Sequence, residues 1–238
     1  MNSVLQRMTI IRPAFVPFDE CRATRIYHRN LPHWRQQGVT YFVTFRLGDS
    51  IPEPVRRRWE DEKATWLRAR GIDYDGERGR WRLAFEKLSA AERFAFQKHF
   101  NRKVQSCLDR GIGSCYLRNV ECITNVRSKL LDGDGSRFHM GDFVIMPNHI
   151  HVLVTPAGEE QLEIILKGVK GASAVSCNRL LGRTGTFWQA DSYDHIVRSL
   201  EQLYEYRQYI AENPAKAGII VPHTACYVAD WMNDWLRS

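Results

Sequence analysis

The feature that most limits how this chain can fold lies past its midpoint. Residues 137–146, RFHMGDFVIM, and residues 149–156, HIHVLVTP, are two apolar runs separated only by Pro147 and Asn148. Short runs rich in Phe, Val and Ile read as strands, and so brief a break joins them as an antiparallel hairpin. Pro147 on the turn side and Pro156 at the far end delimit the second run, because proline donates nothing to a ladder. The strongly apolar flanks of that run make it a central strand.

The other elements arrange themselves around this hairpin. Residues 1–38 show little periodicity and read as irregular. VTYFVTFRL, residues 39–47, has the β-branched and aromatic content of a strand, and GDSIPEP breaks it. From about 54 to 112 the chain is highly charged, with Trp59, Trp66, Trp81, Phe85, Leu88, Phe94 and Phe100 at loosely helical intervals. This segment reads as an insertion of two or three helices, interrupted around RGIDYDGERGR. Residues 120–131 predict a helix stopped by Gly133 and Gly135, and residues 159–182 another stopped by Gly182. SYDHIVRS, 192–199, is a last strand, and 200–213 is a helix that Pro214 terminates.

With the insertion set aside, the order is βαββαβ followed by one more helix. The expected fold class is therefore α+β, a ferredoxin-like antiparallel sheet with an extra C-terminal helix and a helical insertion. The whole chain, 1–238, reads as one domain with a tail from about 222 to 238.

Composition narrows the class of protein. Lys and Arg number 34 against 27 Asp and Glu, a net charge of +7 that leans towards a polyanionic partner. The six cysteines form no CxxC pair, which argues against a zinc ribbon, and a chain of this size needs no disulfide framework. No apolar stretch approaches the roughly 18 residues of a membrane span. The interrupted apolar run at the start is not a secretory signal, so the expected location is cytoplasmic, with no membrane partner.

His149 and His151 sit two apart in the second run, so in a strand they share one face. Two neutral imidazoles side by side suit a divalent metal, while the plainer alternative is a polar pair on a solvated strand face. A two-histidine site requires a further ligand. In EYRQYIAENP, Tyr209 and Asn213 are four apart and share a helical face. The Asn213 amide oxygen is a candidate third ligand, with Tyr209 one turn back as a candidate nucleophile. A phenol, with a reference pKa of about 10, needs a polarised electrophile opposite it. Tyr206, three residues before Tyr209, is the rival, and packing is the alternative role for both.

MPNHIHVLV, FWQADSYDHIVRS and YRQYIAENPAKAGII, together with LPHWRQQGVTYFVTFRL, resemble in sequence and order the IS200-like single-tyrosine transposases. The similarity is to the REP-associated branch of that family and covers roughly residues 25–50 and 113–221. The family belongs to the HUH endonucleases, whose His-hydrophobic-His pair is matched by His149, Ile150 and His151. The resemblance implies a ferredoxin-like core. It also implies Mg²⁺ or Mn²⁺ held by His149, His151 and Asn213, and single-stranded or hairpin DNA as the partner. Tyr209 would attack a phosphodiester to give a 5′-phosphotyrosine link and a free 3′-hydroxyl. The insertion has no part in the minimal family core, although larger members of the branch carry something similar, and the tail has no match in the family.

Bases and aromatics interleave in RATRIYHRNLPHWRQQ, a composition that tracks phosphates and stacks on unpaired bases. Arg29, Trp34 and Arg35 there, with Lys167, Lys170, Arg179, Arg183 and Gln189 further on, form the candidate DNA-binding set. The protein is expected to act as a monomer or a homodimer. Two rival readings are a catalytically silent hairpin-DNA-binding protein and a histidine-triad-like nucleotide hydrolase. The second is weakened by Leu153 at the position of a third alternating histidine. A relaxase is disfavoured because Tyr209 follows the histidine pair.

Overall fold

In the computed structural model, residues 11–28, 32–76 and 79–237 are described. A five-stranded antiparallel sheet forms the centre, in the order β6-β3-β5-β4-β7. Its strands are β3 (Tyr41–Arg46), β4 (Phe138–Ile145), β5 (His149–Pro156), β6 (Tyr193–Ile196) and the two-residue edge strand β7 (Cys226–Tyr227). Helix α4 (Val120–Leu131) connects β3 to β4 by way of the insertion, and α5 (Leu162–Leu180) connects β5 to β6. Without β7, this is the ferredoxin-like βαββαβ arrangement with the hairpin strand β5 in the middle.

Because β5 has neighbours on both edges and layers on both faces, all of its eight residues are buried. On one face Val43, Phe45, Phe143, Ile145, Ile150 and Val152 pack under α4 and α5. On the other, Phe42, Val144, Met146 and Leu153 pack under Leu203 and Ile210 of α6 (Leu200–Lys216). His149 and His151 belong to this second face. The solvated-face alternative therefore fails, since both histidines are fully buried beneath α6.

The tail completes that layer. Ala229, Met232 and Trp235, the last on the short helix α7 (Asn233–Arg237), join the second cluster. Trp231 donates to the carbonyl of Met140, and Trp235 to that of Pro13. Gly141 in β4 leaves room for this packing, because a Cβ there would lie 2.6 Å from Met232 Cε and 2.7 Å from Leu153 Cβ.

The insertion forms three helices, α1 (Glu53–Arg68), α2 (Trp81–Phe85) and α3 (Ala90–Asp109). Ser89 and Glu92 make a reciprocal capping box at the start of α3. The helices enclose their own apolar cluster, with Trp59, Leu67, Trp81, Phe85, Phe96 and Phe100 buried. Phe94, one of the aromatics at helical intervals, is 63% exposed, and Phe96 takes the inward position.

Two expectations are corrected. Residues 25–28 and 32–35 are not irregular: β1 (Arg25–His28) and β2 (Pro32–Arg35) pair as a small antiparallel two-stranded sheet. Pro214 does not end α6 either, because it lies in the last turn, where its missing N–H costs a single bond. Gly218, at φ +66°, is the stop. Ile219 N–H bonds the Pro214 carbonyl and Gly218 N–H the Ala215 carbonyl, which is a Schellman closure. No helix among the described residues is long and apolar enough to cross a membrane.

Candidate active site

Strand register builds the site. In the β3–β5 ladder Thr44 lies opposite His151 and Arg46 opposite His149, so these four side chains share the face beneath α6. Helix α6 begins at Ser199, whose hydroxyl accepts the Gln202 N–H, and crosses this face with Leu203 and Ile210 buried. A buried ion pair fixes its placement. Arg207 reaches Asp142 of β4 at 2.8 Å and also donates to Asn233 of the tail. Asp142 in turn accepts the Ala229 N–H.

The histidine rings meet edge on, with their Nε2 atoms 3.1 Å apart. The Tyr209 hydroxyl lies 3.5 Å from His151 Nε2. Asn213, one turn further along α6, is 2% exposed, and its Oδ1 has no hydrogen-bond partner. Tyr206 instead stacks flat on Phe42, at 4.3 Å between ring centroids, and its other ring contact is His195. Of the two tyrosines, Tyr209 is the one brought to the imidazoles.

Hydrogen bonding sets the protons on this pair. The Asn148 amide nitrogen donates to the Ile112 carbonyl, which turns Asn148 Oδ1 towards His149 Nδ1 at 2.7 Å. An amide oxygen only accepts, so His149 carries its proton on Nδ1 and leaves Nε2 bare. His151 Nδ1 lies 2.7 Å from the Thr44 hydroxyl, which serves as donor or acceptor. In the metal-free protein, His151 donates from Nε2 to His149 and Thr44 donates to Nδ1. His149 and His151 would hold a cation through Nε2, and His151 would then carry its proton on Nδ1 with the Thr44 hydroxyl as acceptor.

Burial pushes the His149 pKa down to about 3, and burial with the neighbouring imidazole lowers His151 well below its ordinary value. Both rings are therefore neutral at physiological pH, the form that ligates metal. Burial raises the Tyr209 phenol above its usual range, Asp109 adds to the rise, and the Asn213 side chain opposes it.

Among the described residues no group of three His, Cys, Asp or Glu is arranged to hold a metal. The donors available are two facing imidazoles of β5 and the amide oxygen of Asn213 on α6. The unsatisfied Asn213 Oδ1 and the facing Nε2 atoms fit a divalent cation, because a buried acceptor without a donor is otherwise costly.

The candidate DNA-binding residues fare differently. Arg29 lies outside the described residues. Trp34 is 43% exposed beside Phe18. Arg35 is not a surface cation: it is buried, holds Asp194 through two bonds and reaches Glu163. Its role is to tie β2 to β6 and α5. Lys170 donates to the carbonyls of Gln189 and Ala190 and to Ser192, fastening α5 to the loop before β6. Arg183 binds Asn178 and the Thr186 carbonyl and lies over the Tyr116 ring. Lys167 and Arg179 are exposed, and Gln189 is half-buried on the wall of a groove beside α5.

Sequence reasoning missed Thr44 and Asn148. Asn148 was legible as the residue that precedes the pair, but its role depends on Ile112, 36 positions away. Thr44 is visible only once the β3–β5 register is known.

No family model matches this chain, and no curated protein matches it. Among solved structures, it is similar to a REP-associated tyrosine transposase bound to a REP hairpin. That pair shares 16% identity, with 78% of this chain and 72% of the other covered and a TM-score of 0.39. It is also similar to a candidate transposase from Deinococcus radiodurans R1, at 12% identity, 74% and 90% coverage and a TM-score of 0.33.

Proposed function

We propose that this protein is a metal-dependent single-stranded DNA endonuclease and strand transferase that cuts near hairpin repeats through Tyr209. The observation that carries the reading is the meeting of three groups from two elements, with a fourth one helical turn along. His149 Nε2, His151 Nε2 and the Tyr209 hydroxyl lie within hydrogen-bonding reach in sequence, with the orphaned Asn213 Oδ1 on the same helix one turn away.

His149, His151 and Asn213 would hold Mg²⁺ or Mn²⁺, which supplies charge withdrawal from the non-bridging phosphate oxygens. Tyr209 Oη forms a bond to phosphorus as the bond to the 3′-oxygen breaks. The phenol loses its proton and the departing 3′-oxygen gains one. The product is a 5′-phosphotyrosine and a free 3′-hydroxyl. The reverse attack by another 3′-hydroxyl rejoins the strand without hydrolysis. Asn148 and Thr44 orient the imidazoles, and the Arg207–Asp142 pair holds Tyr209 over them. In this frame Leu153, where a histidine-triad enzyme carries a third imidazole, is a buried apolar contact.

The test is covalent capture. Purified protein with Mn²⁺ or Mg²⁺ should nick single-stranded hairpin DNA and retain one product through a protein–DNA bond. Tyr209→Phe should abolish the adduct, whereas Tyr206→Phe should keep it. His149→Ala and His151→Ala should lose cleavage while remaining folded. An adduct that survives Tyr209→Phe overturns the nucleophile assignment. Tight hairpin binding with no cleavage by the wild type selects the catalytically silent reading.

A further inference from the structure

Two clefts meet on helix α3 of the insertion, and one of them opens beside the candidate active site. The first, a cavity of about 600 Å³, lies between the end of α3, the β4–β5 turn at Met146 and Pro147, and the last turn of α6 at Lys216. The second runs along α3 towards α1. Arg102, Ser106 and Arg110 line both, so the clefts form one continuous groove. Its inner end is near Tyr209, since Lys216 lines the first cleft and its ammonium lies 5.6 Å from the centroid of the Tyr209 ring.

The groove carries an unusual charge pattern. Elsewhere on the insertion several cations are neutralised, Arg56 and Arg57 by Glu53, Lys63 by Glu60 and Arg70 by Glu92, while Arg68 and Lys87 stand singly rather than in a line. Within the groove, Lys103 and His99 share Glu62, and Lys216 pairs with Glu212. Lys98, Arg102, Arg110 and Arg118, with Arg58 across from them, form no ion pair among the described residues. Lys98, Arg102, Ser106 and Arg110 recur every fourth position, one face of a helix with a rise of about 6 Å per step. A line of uncompensated cations of this kind suits the evenly spaced phosphates of an extended strand.

We infer that the helical insertion is a strand-binding arm whose Lys98–Arg102–Arg110–Arg118 groove carries the single-stranded DNA flanking the phosphodiester that Tyr209 attacks. This rests on the function proposed above and adds the place where the flank binds. The charge is backbone-directed, so the groove positions the strand without reading its sequence.

The test compares a hairpin bearing a single-stranded flank of about ten nucleotides with the same hairpin trimmed to one nucleotide beyond the cut, which keeps the phosphodiester that Tyr209 attacks. Arg102→Gln/Arg110→Gln/Arg118→Gln should weaken binding of the flanked substrate roughly 100-fold at 0.1 M salt. It should also lower the slope of log affinity against log salt by about 2, the share of three phosphate contacts on a single strand. Adduct formation on the trimmed hairpin should not change. A charge-matched control on α1, Arg56→Gln/Arg57→Gln/Arg68→Gln, should bind like the wild type. If the groove variant matches the wild type in affinity and salt slope, the inference is overturned while the nuclease reading stands. Preference for a duplex flank over a single-stranded one overturns it equally. Wild-type protein that binds no DNA overturns both.

Discussion

Thr44→Val tests the proton arrangement of the histidine pair more sharply than deletion of either histidine. The substitution keeps volume and β-propensity but removes the hydroxyl that lies 2.7 Å from His151 Nδ1. Thr44 is buried, so no water replaces it readily. In the metal-free protein the loss is a neutral hydrogen bond with an unsatisfied ring nitrogen, about 1–2 kcal/mol of stability. In the metal-bound protein the same position must accept from an Nδ1–H polarised by the cation, a bond about twice as strong. The difference, about 1–2 kcal/mol, falls on metal affinity and equals roughly a tenfold weakening, in line with other partners of metal-bound histidines. Thr44→Ser should restore it. Calorimetric titration with Mn²⁺ reads the affinity, and adduct yield against Mn²⁺ concentration reads its consequence. Wild-type Mn²⁺ affinity in Thr44→Val would refute the tautomer argument, because it leaves the hydroxyl with no part in aligning His151.

The same site makes stability depend on pH. The histidines have a reference pKa of 6.5 when unfolded and depressed values when folded, so below pH 6.5 the unfolded chain takes up protons that the native one refuses. Metal-free protein should lose about 3 kcal/mol between pH 6.5 and 5 from the pair, read as a falling urea midpoint; a flat midpoint there contradicts their neutral burial. Because Tyr209 starts above the usual phenol range, single-turnover cleavage should rise with pH through the neutral region. A rate that falls over pH 6–8 would require another nucleophile. Arg207→Ala should cost about 3–5 kcal/mol in denaturant unfolding by stranding Asp142, and a loss under 1 kcal/mol would show that the pair does not hold α6. Gly141→Ala should cost about 1–3 kcal/mol by pressing on Leu153 and Met232, and a neutral result would place the tail elsewhere.

The parts of the fold that follow from local pattern were readable in the chain. The β4–β5 hairpin, α4 and the helical insertion announce themselves through period and turn residues, and the βαββαβ order follows from them. What local pattern hides is pairing. The β1–β2 sheet contains Arg and His where a strand signal expects apolar residues, because its charges face Glu163 and Asp194 across the chain. The interleaved bases of this region therefore read as a DNA surface, although Arg35 is an internal tie. Lys170 misleads in the same way, since a lysine in a helix looks solvated until the loop that caps its ammonium is placed.

The site divides along the same line. His149 with His151, and Tyr209 with Asn213, are each set by periodicity, one by the pleat and one by the helical turn. Bringing the two pairs together depends on Arg207, which shares α6 with Tyr209 and reaches 65 residues back to Asp142 and on to Asn233 in the tail. Asp142 and His151 lie on neighbouring strands of one face, so anchoring α6 at the first fixes Tyr209 over the second. The tail, unmatched in sequence, thereby becomes part of the candidate site's geometry. Asn233→Leu removes that third member while leaving the buried ion pair intact. It should lower adduct yield at saturating Mn²⁺ more than it lowers the unfolding midpoint. Equal losses would mean that the tail contributes stability alone and that the ion pair by itself aims the tyrosine.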